Sequence, residues 1–380
     1  MKLNTRLEYA CDKCRAPLDG KKYFPVNSKR GAEVMVCSQC GLTQTFYTSD
    51  YASRPPGNMS CDADRSSIRY TKSLVSSDYF GAIELATTRF DENSDISVLD
   101  IGSNRGAFYK LVSKKYINSS FTCIEPDSSV IDYELGRGKI IVDRIENIVL
   151  EDQRYDIAYC VHSLEHMISA KSVLNQVYNS LKGDGKLILG VPKLELYPDV
   201  IEEWFIDPHT FHFRHIDILE YAKIVGFNVE YLSAASHHDV IAVLSKGHVE
   251  SIVEYKVPNQ QFSIEDYVYT LKNNRLTIAS TAEKITAESI ERPVLIWGAG
   301  RIFDCLCKQS SWSPSNFFLY DKFIRNILPE ISGYKIIDED QLMKLAKDTL
   351  VVVASRNYFD EISAEARELG FYDIKPFGGF

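Results

Sequence analysis

No apolar run in this chain approaches the roughly 20 residues that a bilayer-spanning helix needs, which excludes a helical membrane anchor within it. The opening residues, Met1-Lys2-Leu3-Asn4-Thr5-Arg6, have no apolar core behind them, so no secretory signal is read there. A basic excess is missing too: 43 Lys and Arg stand against 52 Asp and Glu, for a formal net charge of −9. A broad nucleic-acid surface needs a basic stripe, so no nucleic-acid partner is expected. Together these absences predict a cytoplasmic protein. The first 60 residues run against the trend, with nine basic and five acidic side chains. That local excess reads as a solvated face that can also help hold a phosphorylated substrate.

A full three-glycine dinucleotide fingerprint is likewise lacking. What stands in its place is Asp100-Ile101-Gly102-Ser103-Asn104-Arg105-Gly106, after the apolar run Ile96-Ser97-Val98-Leu99. A second apolar run, Phe121-Thr122-Cys123-Ile124, ends on Glu125. Strand, glycine turn, helix, and a second strand closing on a carboxylate are the means by which a doubly wound α/β fold holds a nucleoside. The glycines let backbone approach the ligand, and the carboxylate accepts from two ribose hydroxyls. An aspartate before the turn suits S-adenosylmethionine better than NAD, because that ligand has no pyrophosphate to cradle and its ammonium favours a nearby anion. Asp100, Gly102, Asn104, Gly106 and Glu125 are therefore the expected cofactor residues. Asp143, past the third strand, is expected at the adenine edge. His162 is placed to meet the cofactor's carboxylate or line its pocket.

With 380 residues, 45% hydrophobic and 25% charged, the chain should divide into two or three domains. Its nine cysteines are unevenly spread. Cys11-x-x-Cys14 and Cys37-x-x-Cys40 have the spacing of a tetrahedral zinc site built from two tight turns. Gly41 supplies the positive φ that such a turn needs. Four cysteines leave no open coordination position, so the zinc is expected to be structural. Residues 1–60 are read as this zinc-binding module.

Residues 47–80 are rich in Tyr, Ser, Asp and Arg. Pro55-Pro56-Gly57 bars regular structure there. The segment either serves as a linker or lies over the mouth of the core, where Tyr51, Arg69 and Tyr70 would meet substrate. Residues 61–250 alternate strand and helix, with helices expected at 104–116, 128–136, 170–181 and 216–225, and a possible antiparallel strand at 240–244. This pattern predicts a parallel sheet with helices on both faces. Residues 251–292 read as a helical connector. Residues 293–380 begin a second α/β unit at Val294-Leu295-Ile296-Trp297. Its loop, Gly298-Ala299-Gly300-Arg301-Ile302-Phe303, has Phe303 where a third glycine would stand, so a Rossmann-like module without NAD is expected.

The order of these parts resembles the three-domain, zinc-containing, S-adenosylmethionine-dependent sugar methyltransferases. They include the C-methyltransferases that act on nucleotide-linked deoxysugars. The likeness rests on Cys37-Ser38-Gln39-Cys40-Gly41-Leu42-Thr43-Gln44-Thr45, on Ile101-Gly102-Ser103-Asn104-x-Gly106, on Ile124-Glu125-Pro126 and on the C-terminal unit. It implies a class I Rossmann-like methyltransferase core and a sugar nucleotide or surface-glycan precursor as substrate. The C-methyltransferases carry a Glu-His pair, with a tyrosine shortly before it, after the Val-Pro strand. Here His212 matches the histidine, Phe211 replaces the glutamate, and His209 falls near the tyrosine position. O-methylation of a sugar hydroxyl is therefore expected, with C-methylation of a keto-deoxysugar as the alternative. A histidine near neutrality is the natural base for a hydroxyl. His212 is the first choice, His166 the second and His209 the third, with Glu165 orienting a neighbour. A zinc-ribbon nucleic-acid binder is the non-enzymatic alternative, and the acidic charge speaks against it.

Overall fold

The computed structural model describes residues 9–18, 20–25, 28, 30–47, 77–131, 133–194, 203–205, 207, 209–234, 239–246, 262–309, 316–326, 329–355 and 358–378. The chain divides into two compact units, 1–195 with 205–262, and 196–204 with 263–380.

In the first unit, two tight turns and three short strands, β1 (Lys22–Tyr23), β2 (Ala32–Val36) and β3 (Thr43–Tyr47), make the four-cysteine module. There follow α1 (Ser77–Thr87), β4 (Ser97–Ile101), α2 (Ala107–Lys115), β5 (Ser120–Ile124), β6 (Gly138–Ile141), β7 (Tyr155–Val161), α3 (Ala170–Ser180) and β8 (Leu181–Pro192). The unit closes with β9 (Phe211–His212), α4 (His215–Val225), β10 (Asn228–Leu232) and β11 (Asp239–Ser245). The large sheet has the order β10-β11-β8-β7-β4-β5-β6. Its β4, β5, β6, β7 and β8 run parallel, and β11 is antiparallel to both neighbours. The strand expected at 240–244 is thus an antiparallel sheet member. β4 and β7 are buried nearly end to end, as strands covered on both faces must be. The parallel carboxyl ends share one edge, and the chain reverses its winding direction between β4 and β7, where doubly wound sheets open a ligand crevice.

Two expectations are corrected. The helix expected over 128–136 is only a 3-10 turn, Ser128–Val130, capped by the Asp127 carboxylate. Ile131 is already extended, and the chain then carries Tyr133 back to the glycine turn, where its hydroxyl donates to Ser103 Oγ at 2.8 Å. The segment holding His212 is not a loop throughout: β9 pairs with β3 through Thr43↔His212 and Gln44↔Phe211. It completes the small sheet β1-β2-β3-β9.

Apolar residues fill both faces of the large sheet. One face packs Tyr79, Ala82, Phe108 and Val112 from α1 and α2. The other packs Val173, Leu174, Ile218 and Tyr221 from α3 and α4, together with Cys11, Leu18, Met35 and Leu42 of the four-cysteine module. That module shares a core with the sheet. The tip of its first turn is buried as well. Asp12 accepts from Ser169 Oγ, the Lys171 N–H and Tyr221 Oη at 2.6, 3.0 and 2.7 Å. Lys13 reaches Asp217 at 2.7 Å and also Glu220.

The second unit holds α5 (Ile264–Glu291), β12 (Val294–Trp297), α6 (Arg301–Gln309), β13 (Phe317–Tyr320), β14 (Glu330–Ile331), β15 (Tyr334–Lys335), α7 (Glu339–Met343), β16 (Leu350–Val353), α8 (Phe359–Glu368) and β17 (Ile374–Pro376). Its sheet is parallel in the order β13-β12-β16-β17. The charged helix α5 buries Ile278, Ala282 and Ile285 in that sheet's core. Asp321, ending β13, draws the glycine loop in: its carboxylate accepts from the N–H groups of Ala299, Phe323 and Ile324 at 3.0, 3.0 and 2.8 Å.

Candidate active site

The turn after β4 is shaped by backbone that most residues resist. Gly102 and Gly106 have φ of +73° and +68°, and Asn104, at φ 44°, is one of the few non-glycine residues beyond zero. A Cβ on Gly102 would sit 2.0 Å from Ser163 Oγ, and one on Gly106 would sit 2.7 Å from the Tyr133 ring. Both glycines are required by space as well as by torsion. Glu125 locks the turn to the next strand: its two carboxylate oxygens accept from the Asn104 N–H at 2.8 Å and the Asp127 N–H at 2.9 Å. Burial lifts its pKa, and those two backbone donors pull against the rise.

Asp100 lies beside them, 1% exposed. Its Oδ2 is buried with no hydrogen-bond partner among the described residues. Burial first, and then the Glu125 charge, push its pKa up to about 8. A buried carboxylate oxygen lacking a donor is costly, and an ammonium arriving from a ligand would satisfy it. These residues fit S-adenosylmethionine in that respect. Asp143 follows β6, and its Oδ1 accepts from the Arg144 N–H and Asn147 Nδ2 at 2.7 and 2.8 Å.

The end of β7 supplies a second group of side chains. His162, at φ 49°, lies with Nε2 3.3 Å from Asp239 Oδ2 and Nδ1 3.8 Å from Glu165 Oε1. Burial opposes its charge, but the nearby Asp239 and Glu165 carboxylates outweigh that and lift its pKa to about 10. Tyr79 of α1 joins by donating to Asp239 Oδ2 at 2.9 Å. The 3-10 turn Leu164–His166 then presents Glu165 and His166. His209 meets them from the later segment, its ring 4.8 Å from that of His166 and near perpendicular to it. Thr210 pins that meeting. Its N–H and its hydroxyl donate to the Glu165 carbonyl at 2.7 and 2.9 Å, and the hydroxyl also reaches the Met167 carbonyl at 2.5 Å.

His212 stands apart from this group in character. It is 2% exposed, its Nε2 pairs with Thr45 Oγ1 at 2.8 Å, and Phe205 packs edge-on against its ring. Burial lowers its pKa to about 3, so it is neutral and weakly basic at ordinary pH. The structure therefore does not favour the first-choice base and brings the second and third choices, His166 and His209, together. Tyr51, Arg69 and Tyr70 lie outside the described residues. Tyr79 and Asp239 carry no local motif and were not singled out in the sequence. Only a buried tyrosine on α1 and an aspartate opening an apolar strand mark them.

In the four-cysteine module, Cys11 and Cys40 have sulfurs 3.5 Å apart, as do Cys14 and Cys37. All four sulfurs lie within 4.8 Å of one another. Tetrahedral zinc with four thiolates spaces its sulfurs by about 3.8 Å, so the cluster fits that ion. The two turns match: the Arg15 and Gly41 N–H groups donate to the Cys11 and Cys37 carbonyls at 2.9 and 2.8 Å.

Residues 76–232 match the methyltransferase domain family. An uncharacterized protein of Methanocaldococcus jannaschii is 30% identical over 183 residues, covering 47% of this chain and 76% of that protein. The candidate methyltransferase YrhH of Bacillus subtilis is 20% identical over 138 residues, covering 33% of this chain and 73% of its own. Among solved structures, a chain from the complex between the Haloferax volcanii Trm112 methyltransferase activator and a candidate methyltransferase is 12% identical, covering 49% of this chain and 98% of that one at a TM-score of 0.40. No helix among the described residues is long and apolar enough to cross a membrane. With its class I Rossmann-like core and this match, the chain belongs to the methyltransferase-domain family and is an S-adenosylmethionine-dependent methyltransferase.

Proposed function

We propose that the protein methylates a sugar hydroxyl on a sugar nucleotide or surface-glycan precursor. The observation that carries this reading is the convergence of His162, Glu165, His166 and His209 around Ser163, which packs against Gly102 of the glycine turn. A nucleoside held at that turn would have its reactive end next to groups able to activate an oxygen. When bound, S-adenosylmethionine supplies an electrophilic methyl carbon whose bonding electrons stay on sulfur. Asp100 would meet its ammonium and Glu125 its ribose, with Gly102, Asn104 and Gly106 shaping the turn and Asp143 at the adenine edge. His162, charged by its two carboxylate neighbours, is suited to the cofactor's carboxylate. His166, followed by His209, is assigned to take the acceptor hydroxyl's proton as its oxygen gains the methyl group. His212 is assigned to packing.

The sugar itself is supported by the resemblance of the parts and by their order. Tyr51, Arg69 and Tyr70 are assigned to it on sequence alone. Cys11, Cys14, Cys37 and Cys40 are assigned to one structural zinc ion. The proposed division is a zinc module at 1–60, the methyltransferase domain at 61–250, a connector at 251–292 and a Rossmann-like domain at 293–380. Incubation with labelled S-adenosylmethionine and a panel of sugar nucleotides and deacylated glycans tests the reading. Mass spectrometry should find one product heavier by a methyl group, and NMR should place that group on oxygen. Transfer only to non-sugar acceptors, or onto carbon, overturns it.

A further inference from the structure

We infer that Glu165, His166 and His209 form a binding site for one divalent transition-metal ion, distinct from the four-cysteine cluster. The ligand atoms of the three side chains all lie within 4.8 Å of one another, and His166 Nε2 is already 3.8 Å from Glu165 Oε1. Nitrogen and oxygen ligands on one tetrahedral ion stand about 3.4 Å apart, so small side-chain rotations close the site. Glu165 supplies the independent reason to expect a cation. It is 1% exposed, and neither of its carboxylate oxygens has a hydrogen-bond partner among the described residues. A buried carboxylate in that condition is strongly disfavoured unless a positive charge reaches it.

His162 is the competing charge, 3.8 Å from Glu165 Oε1. Its other nitrogen is drawn closer to Asp239, at 3.3 Å, so Glu165 is left as the lesser of its two carboxylates. Preorganisation favours the site further. Thr210 ties the backbone beside His209 to the carbonyls of Glu165 and Met167, fixing two strands of chain 43 to 45 residues apart in sequence. Two imidazoles and one carboxylate form the donor set of zinc, iron, cobalt or manganese with open positions, and not that of a closed structural site.

The purpose of the ion, though not its binding, rests on the proposed methyl transfer. With the ion in place, His166 and His209 act as ligands instead of taking the proton as proposed for the metal-free site, and the ion lowers the pKa of an acceptor hydroxyl. The O–H bond then breaks with its electron pair left on oxygen and its proton passing to water.

The test uses the full chain with its cysteine site saturated with zinc and excess metal removed. Cobalt(II) is titrated in and followed by calorimetry and visible absorption. One further equivalent should bind, without the charge-transfer band that thiolate ligands give. Glu165→Gln and His209→Ala should each weaken that equivalent by at least about tenfold, with zinc content and melting temperature retained. No further equivalent at millimolar cobalt, a thiolate band alone, or undiminished binding in both variants overturns the inference. S-adenosylhomocysteine binding, measured on the same samples, separates the two readings. Product bound without the second metal sinks the site alone, and metal bound without product sinks the methyl-transfer purpose alone.

Discussion

In the proposed function, Asp100 and Glu125, at the ends of neighbouring strands, divide the cofactor's polar groups between them. Removing the Glu125 carboxylate deletes the proposed ribose acceptor and also frees the Asn104 and Asp127 N–H groups. Charged hydrogen bonds contribute about 1.5–3 kcal/mol each. Glu125→Ala should therefore weaken S-adenosylmethionine binding by at least about a hundredfold in calorimetry while circular dichroism still shows a cooperative melt. Asp100 predicts a pH dependence. Its pKa, raised to about 8, keeps the apo carboxyl protonated at neutral pH, whereas an ammonium partner needs it ionised. Affinity should rise with pH toward 8 by up to about tenfold per unit, and fall beyond it as the ligand's α-amino group, with pKa about 8, loses its proton. Asp100→Asn should abolish the acidic limb. The linkage sign for stability is opposite to the usual carboxylate. The folded state holds this proton more tightly than the unfolded one, so the Asp100 contribution declines between the unfolded value near 4 and about 8. The Asn variant should be flatter over that window in denaturant titrations.

Among the elements, β9 has two residues and a large influence. Pairing with β3 draws the segment around His209 toward the four-cysteine module, and the Thr45 N–H donates to the Thr210 carbonyl at 2.9 Å. Thr210 then bonds the turn after β7 on its other side. The histidine position is thus clamped from two elements. Thr210→Val keeps the backbone bond to Glu165 but leaves the Met167 carbonyl without its hydroxyl donor. A loss of about 1–2 kcal/mol is expected from that orphaned acceptor, read as a lower denaturation midpoint, with a larger loss of methyl transfer as His209 shifts. The Gly102–Gly106 turn and the start of α2 were legible as sequence because glycine spacing reports a torsional requirement directly. The helix expected over 128–136 was not, because its apolar residues serve a return path to Ser103 rather than a helical face.

Across the chain, the four-cysteine module is joined to the methyltransferase core by charge as well as by packing. Lys13, 3% exposed, lies against Asp217, which Arg214 also grips at 2.9 Å. Removing one partner of such a buried pair costs about 3–5 kcal/mol. Extracting the proposed zinc should therefore do more than melt the two cysteine turns. Hydrogen exchange after chelation should show protection lost at β3, β9 and the amino-terminal part of α4, while the strands β12, β13 and β16 of the second unit keep theirs. Uniform protection in the chelated sample would contradict the proposed zinc role.

The apolar strands, the glycine turn, the acidic strand ends and the paired cysteines could all be recognised from order along the chain, because each is a local demand on torsion, burial or ligand spacing. Which histidine could act as a base was not local. The sequence ranked His212 first, His166 second and His209 third, on the resemblance and on their place in two loops. Folding then placed His212 between Thr45 and Phe205, where burial holds it neutral, and it brought His209 to Glu165 and His166 across more than 40 residues of chain. Burial and long-range pairing set a side chain's charge, and neither is written in its neighbours along the sequence.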